Sequence, residues 1–267
     1  MDHIDDYFEG NKAAWEDAFE HRKPGWGDDN HEVIKTQRLA FFNPAMQYEL
    51  EQIDFADKTV AQICCNNGRE LLSLAALGIR SGTGFDFAEN IIQQAKDTAE
   101  KAGIDNCEFV ACNIRDIPES YHGQFDIIFS TVGTLTWFDE LSWFFEKVEK
   151  CLKPDGLILV NDIHPFMNML PIPGEEPFDQ DNLDRVTYSY FRNEPWVENG
   201  GMEYMSVAYE SKTFICFPYT MAELINALAD NGLKATRFLE FDFDIGLTEV
   251  YDGKGLPLSF ILIAEKN

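Results

Sequence analysis

Four stretches of the chain carry polar residues at spacings that could hold a nucleoside and transfer a small group. The first is the loop Cys64-Cys65-Asn66-Asn67-Gly68-Arg69-Glu70, which directly follows an apolar run. Asn and Gly tolerate the positive φ angles of a tight strand-to-helix turn, and free amides at a helix start can hold a carboxylate. An ordinary βα turn could carry the same residues. The second is Gly84-Phe85-Asp86-Phe87-Ala88, about 20 residues further on, the separation at which an acidic side chain can accept both ribose hydroxyls of an adenine nucleoside. Asp86 could instead cap the helix that follows it. In the third, Asn113 and the backbone N–H of Ile114 follow the run Phe109–Ala111 and could read the edge of adenine. Ser130 and Thr131 begin a small-residue floor that runs to Gly133. The fourth is His164, in Asn161-Asp162-Ile163-His164-Pro165. An unperturbed imidazole titrates near neutrality and is a candidate general base. The alternative is a histidine hydrogen-bonded within a His-Pro turn.

These residues need a scaffold that brings chain segments far apart in sequence to one edge. Thr59–Cys65, Gly82–Phe87, residues 107–111, Phe125–Ser130 and Leu157–Val160 read as strands. Helices over Arg69–Leu77, Asn90–Ala102 and Phe138–Leu152 separate them. Continuous apolar strands alternating with helices predict βαβ units and a parallel sheet buried on both faces. Right-handed crossovers make it doubly wound. A helix at Met221–Asn231 and strands at 234–241 and 257–264 close the chain. Before the sheet, helices are expected near 10–22 and over 30–41, the second stopping at Asn43-Pro44. Residues 165–215 break the rhythm with five prolines and aromatic segments at Tyr188–Phe191 and Tyr204–Tyr209, read as antiparallel strands of an insertion.

Composition narrows the function classes. The chain has 267 residues with 21 Lys+Arg against 47 Asp+Glu, a net charge of −26. Such a surface repels phosphate backbones and anionic lipid, so neither nucleic acid nor membrane is an expected partner. No run is long and apolar enough for a membrane span. The start, Met1-Asp2-His3-Ile4-Asp5-Asp6, lacks the basic and apolar regions of a secretory leader, which makes a cytoplasmic location the expectation. The six cysteines form no CxxC pair, so no zinc site or disulfide framework is expected.

In order and spacing these motifs resemble the Rossmann-like family of S-adenosylmethionine-dependent methyltransferases, over roughly residues 58–163. The Lys153-Pro154-Asp155-Gly156 turn before the fifth strand also fits. The resemblance implies a mostly parallel seven-stranded α/β sheet, doubly wound, with an N-terminal helical cap and an antiparallel insertion after the fifth strand. It also implies S-adenosyl-L-methionine as cofactor and methyl transfer as activity. Carried over by residue, the loop of Cys65, Asn66, Asn67 and Gly68 would face the methionine part. Asp86 would bind the ribose, Asn113 and Ile114 would frame adenine, Ser130 and Thr131 would lie near the sulfonium, and Glu70 and Phe87 join the cofactor-binding set. Gln62 stands where an acidic residue is common, and Cys64 and Asn66 replace two glycines. The loop looks like that of a bacterial subgroup with Cys-x-x-Gly, which is also similar at His164-Pro165-Phe166, Tyr190-Phe191-x-x-Glu194-Pro195 and Leu256-Pro257-Leu258-Ser259-Phe260.

Methyl transfer is an in-line displacement that needs alignment and exclusion of water, with a base only where the acceptor must lose a proton. His164 is the candidate for that base. The expected organisation is a cap or lid over 1–50, a cofactor domain over 51–164 and 216–267, and a substrate-side insertion over 165–215. The leading expectation is methylation of a small molecule. Two alternatives are a cofactor-binding sensor or accessory subunit without catalysis, and a protein or tRNA methyltransferase.

Overall fold

The computed structural model describes residues 4–267, with side chains from Tyr7 onward. Met1–His3, part of the stretch expected to lack a secretory leader, lie outside the described residues. Three helices come first: α1 (Ile4–Glu20), α2 (Asn30–Thr36) and α3 (Pro44–Glu51). There follow β1 (Thr59–Ile63), α4 (Arg69–Leu74), β2 (Ser81–Asp86), α5 (Glu89–Ala102), β3 (Cys107–Ala111), β4 (Phe125–Ser130), α6 (Leu141–Cys151) and β5 (Leu152–Ile163). The rest of the chain adds β6 (Trp196–Glu198), β7 (Phe214–Cys216), α7 (Met221–Asp230), β8 (Leu233–Phe241) and β9 (Ser259–Lys266).

Seven strands form one sheet in the order β3-β2-β1-β4-β5-β9-β8. The first five are parallel; β9 runs antiparallel to both β5 and β8. This is the doubly wound sheet that the strand rhythm predicts, in the mostly parallel seven-stranded form that the resemblance implies. Side chains alternate between two buried layers, as the period-2 pleat requires. Ile158 and Val160 of β5 join Phe144, Phe145 and Val148 of α6 and Leu224 and Leu228 of α7 on one face. Leu159 joins Met46 and Leu50 of α3, Leu71 of α4 and Ile92 of α5 on the other. The chain's direction of travel across the sheet reverses between β1 and β4, and ligands of open α/β sheets bind beyond the carboxyl ends of the strands at such a point.

Two local expectations need correction. The helix expected over 30–41 ends at Thr36, and Asn43-Pro44 starts a helix instead of stopping one. The Asn43 side chain accepts from the Met46 amide at 2.9 Å and Pro44 takes the first helical position, where a missing N–H costs nothing. Within the insertion, the aromatic segments 188–191 and 204–209 form no strands. Instead β6 pairs antiparallel with β7, Trp196 opposite Cys216 and Glu198 opposite Phe214. The aromatic side chains are spent on single anchoring bonds. Tyr188 donates to Glu175 at 3.2 Å, and Tyr190 accepts from the Met221 amide at 2.8 Å.

Candidate functional site

The first loop folds back on the sheet through its backbone. Cys64, Asn66 and Gly68 all take positive φ (52°, 47° and 71°), so the chain coils tightly between β1 and α4. Asp86, the last residue of β2, fastens this coil. Its carboxylate accepts from the Asn66 amide at 2.9 Å and from the Ala88 amide at 3.1 Å. Burial pushes its carboxyl above the usual range, while these amides pull it down. The same side chain thus braces the loop and enters the following helix. At the equivalent place on β5, Asp162 accepts from the amides of Gly133 (2.7 Å), Leu135 (3.0 Å) and Ile163 (2.8 Å). Burial pushes Asp162 up to about 6 despite those bonds. Gln62 takes the place of a carboxylate in β1. Its Oε1 accepts from the Leu71 amide at 3.2 Å and its Nε2 donates to Thr131 at 3.3 Å.

These groups face one cavity of about 440 Å³ at the carboxyl edge of the sheet. Of the residues singled out from sequence, Cys65, Asn66, Glu70, Asp86, Phe87, Thr131 and His164 line it. A narrow cleft of about 10 Å³ opens beside Asp86, bounded by Phe87, Cys112, Asn113, Ile114 and Phe138. Asn113 sits at that cleft, yet its Oδ1 accepts from the Arg115 amide at 3.0 Å as a helix cap. Asn67, Gly68 and Ser130 line neither space. Asn67 Nδ2 donates to Gln94 at 3.2 Å, and Gly68 packs against Phe109. Ser130 is buried, and its hydroxyl has no hydrogen-bond partner among the described residues.

His164 lines the cavity, but both its nitrogens face other groups. Nδ1 accepts from the Phe166 amide at 3.0 Å, which places the ring proton of the neutral tautomer on Nε2. Nε2 lies 3.2 Å from Glu240 Oε1, close enough for charge attraction although poorly aligned for a hydrogen bond. Burial lowers the imidazole's affinity for a proton, partly offset by Glu240. The hydrogen bond of a His-Pro turn is present, and no lone pair remains for a proton on an acceptor.

Of the remaining walls, the aromatics Tyr188, Trp196 and Tyr219 and the cap residue Trp15 lie in segments whose aromatic content the sequence shows, whereas Glu175 and Glu198 of the insertion gave no signal and Asp162 was not singled out. Tyr204 hydrogen-bonds the loop through Asn66 Nδ2 at 3.1 Å and joins Trp15 and Trp26 in an aromatic cluster over the site. Asp162 did have a readable signal, a polar residue closing a strand beside His164.

The sheet order is that of S-adenosylmethionine-dependent methyltransferase structures, a class whose cofactor is S-adenosyl-L-methionine. Residues 54–199 match the methyltransferase domain family, more than half of the chain, and the chain belongs to that family. A demethylmenaquinone methyltransferase of Lactococcus lactis is 26% identical over 137 residues. The match covers 46% of this chain and 54% of that protein, so the chain spans about half the length of the curated relative it matches. An S-adenosylmethionine-dependent methyltransferase structure from Mesorhizobium loti superposes with a TM-score of 0.63 at 18% identity, covering 83% of this chain and 96% of that one. The geranyl diphosphate C-methyltransferase of Streptomyces coelicolor gives 0.60 at 14% identity, covering 90% and 84%. At these identities the structural likenesses establish the fold.

The residues present fit this cofactor. A cavity of this size lies within the roughly 300–1,000 Å³ of small-ligand sites. Its carboxylates and aromatic faces suit a ribose, an ammonium and a sulfonium. Adenine would have to part the walls of the narrow cleft beside Asp86.

Proposed function

We propose that the chain transfers a methyl group from S-adenosylmethionine to a small-molecule acceptor bound in the same cavity. The observation that carries this is the continuity of the cavity from Asp86 and Glu70 to Glu175, Tyr188 and Trp196 of the insertion. A shared cavity can align two reactants, one of the main demands of the displacement. The cofactor would supply an electrophilic methyl group on a sulfonium. In this reading Cys65, Asn66 and Glu70 hold the methionine part, Asp86 and Phe87 the ribose, Asn113 and Ile114 the adenine, and Thr131 lies near the sulfonium. Asn67, Gly68 and Ser130 shape the loop and floor without touching the cofactor. Residues 1–50 act as the lid, 51–164 and 216–267 as the cofactor domain, and 165–215 as the acceptor wall. His164 positions the turn after β5 and carries no proton for the reaction. Among the described residues no helix is long and apolar enough to cross a membrane.

Incubating the protein with S-adenosylmethionine and a library of small metabolites tests this. S-adenosylhomocysteine should form over many turnovers with at least one compound. Cofactor binding without turnover would favour a sensor, and transfer only onto protein or RNA would overturn the small-molecule reading. With the acceptor in hand, His164→Ala should retain activity within about tenfold, whereas loss of a general base costs about 10²–10⁴.

Acidity supplies a second check. Asp162, pushed up to about 6, is neutral below that pH and ionised above it. Asp162 holds the loop after Thr131 through the Gly133 amide, so in this reading it also faces the sulfonium; only its ionised form attracts that charge, and the demethylated thioether feels no such pull. The ratio of S-adenosylmethionine to S-adenosylhomocysteine affinity should therefore rise about three- to tenfold between about pH 5 and pH 7, or about 0.7–1.4 kcal/mol. Calorimetry with both ligands reads it, and a flat ratio would remove Asp162 from contact with the charge.

A further inference from the structure

We propose that the methyl acceptor carries an ammonium group, held by Glu175 and Glu198 beside the rings of Tyr188 and Trp196 at the insertion end of the cavity. This rests on the reading of the cavity as the site of methyl transfer, and it adds the chemical class of the acceptor.

The strand register builds the receptor. Trp196 and Glu198 stand two residues apart on β6, so their side chains leave the same face, and both line the cavity. Cys216, opposite Trp196 on β7, lines it too. Glu175 is fixed beside them, its Oε2 accepting from the Ile172 amide at 2.8 Å and the Tyr188 hydroxyl at 3.2 Å. Tyr188 packs edge-on to Trp196 with ring centroids 5.1 Å apart. Glu198 has no hydrogen-bond or ion-pair partner among the described residues. Its side chain is exposed to solvent along the cavity wall, yet the atoms packed around it and then the charge of Glu175 push its carboxyl upward. A carboxylate whose charge a neighbour disfavours gains from a cation that enters beside it.

The cation is missing from the protein's own walls. Among the described residues no lysine lines the cavity, and the one arginine that does, Arg69, is paired with Glu70 at 2.9 Å. Arg192 stacks on Trp196 at 3.8 Å from the ring centroid, but it is not a wall residue, and its N–H groups donate to the Glu194 and Pro195 carbonyls. A carboxylate or phosphate on the acceptor would meet Glu175 and Glu198 with nothing to neutralise it. An ammonium meets two carboxylates and aromatic faces, the combination that holds organic cations. Met167, Leu170 and Ile172 line the neighbouring wall, so the acceptor should also carry an apolar body.

Three near-isosteric probes test the inference: phenethylammonium, 2-phenylethanol and phenylacetate, each titrated calorimetrically into protein saturated with S-adenosylhomocysteine. The ammonium should bind at least about tenfold tighter than the alcohol, and the acid not measurably. Glu198→Gln should reduce the preference for ammonium over alcohol to less than about threefold while leaving affinity for S-adenosylhomocysteine intact. Equal binding of ammonium and alcohol, binding of none of the three, or a preference that survives in Glu198→Gln would overturn the inference. Failure of the wild-type protein to bind S-adenosylhomocysteine would instead sink the methyl-transfer reading on which it rests.

Discussion

Asp86→Ala should weaken S-adenosylhomocysteine binding by a factor of about 100 or more, the largest effect expected of any single cavity residue. The carboxylate bounds both the large cavity and the narrow cleft, the one polar side chain at the place where ribose would join them. Hydrogen bonds to a charged acceptor contribute about 1.5–3 kcal/mol each, and a ribose offers two hydroxyls. Loss of both corresponds to about 10²–10⁴ in affinity. The substitution also frees the Asn66 and Ala88 amides, which Asp86 now satisfies, so the loop itself would loosen. Calorimetry on the folded variant reads the first effect, and its thermal midpoint without ligand reads the second. Asp86→Asn separates them further, since one carbonyl oxygen can still hold the Asn66 amide but cannot accept as an anion. Affinity within threefold of wild type in Asp86→Ala would show that the ribose is held elsewhere.

Asp86 could be placed from sequence because two independent patterns meet at it. A buried parallel strand has to be apolar along its length, so a carboxylate at the end of Gly82–Phe85 marks the strand's exit from the core. The same logic made β1, β4 and β5 readable as runs such as Ile127-Ile128-Phe129. Legibility failed where one residue type serves two purposes. Asn43-Pro44 terminates a helix by rule and starts one by geometry; only the Met46 amide, seated on Asn43, decides between them. Asn67 has the polarity of a ligand contact but is buried at 1% exposure against Gln94. The insertion wall showed only its aromatics, Tyr188 and Trp196; the arrangement that sets Glu175 and Glu198 beside them was invisible for a different reason. Its strands are three residues long, too short to show a period, and its members meet through long-range pairing of β6 with β7. Their spatial order is a property of the insertion's path and leaves no local pattern in the sequence.

Gly68→Ala should lower the thermal midpoint by about 4–20 °C and impair cofactor binding without removing any cofactor contact. Gly68 precedes α4 at φ 71°, in the left-handed region that costs an L-residue about 1–2 kcal/mol. Space is the larger obstacle. A Cβ at this position would stand 2.3 Å from Phe109 Cε1 and 2.5 Å from its Cζ, and 3.1 Å from the Ala95 Cβ. Phe109 is itself buried at 4% exposure between β3 and the helix layer, so its ring cannot simply swing away. Overpacking of this kind adds about 1–3 kcal/mol. The two costs together make about 2–5 kcal/mol, and in a domain of this size each kcal/mol moves the midpoint by about 2–4 °C. The damage should reach the site because Gly68 closes the coil that carries Cys65 and Asn66 along the cavity wall. A double mutant tests that route: Phe109→Leu removes the ring atoms that block the new methyl. Gly68→Ala/Phe109→Leu should therefore bind S-adenosylhomocysteine more tightly than Gly68→Ala alone, despite the space opened in the core. If the second substitution only adds its own penalty, the backbone angle is the whole cost, and contact with Phe109 is not what shapes the loop.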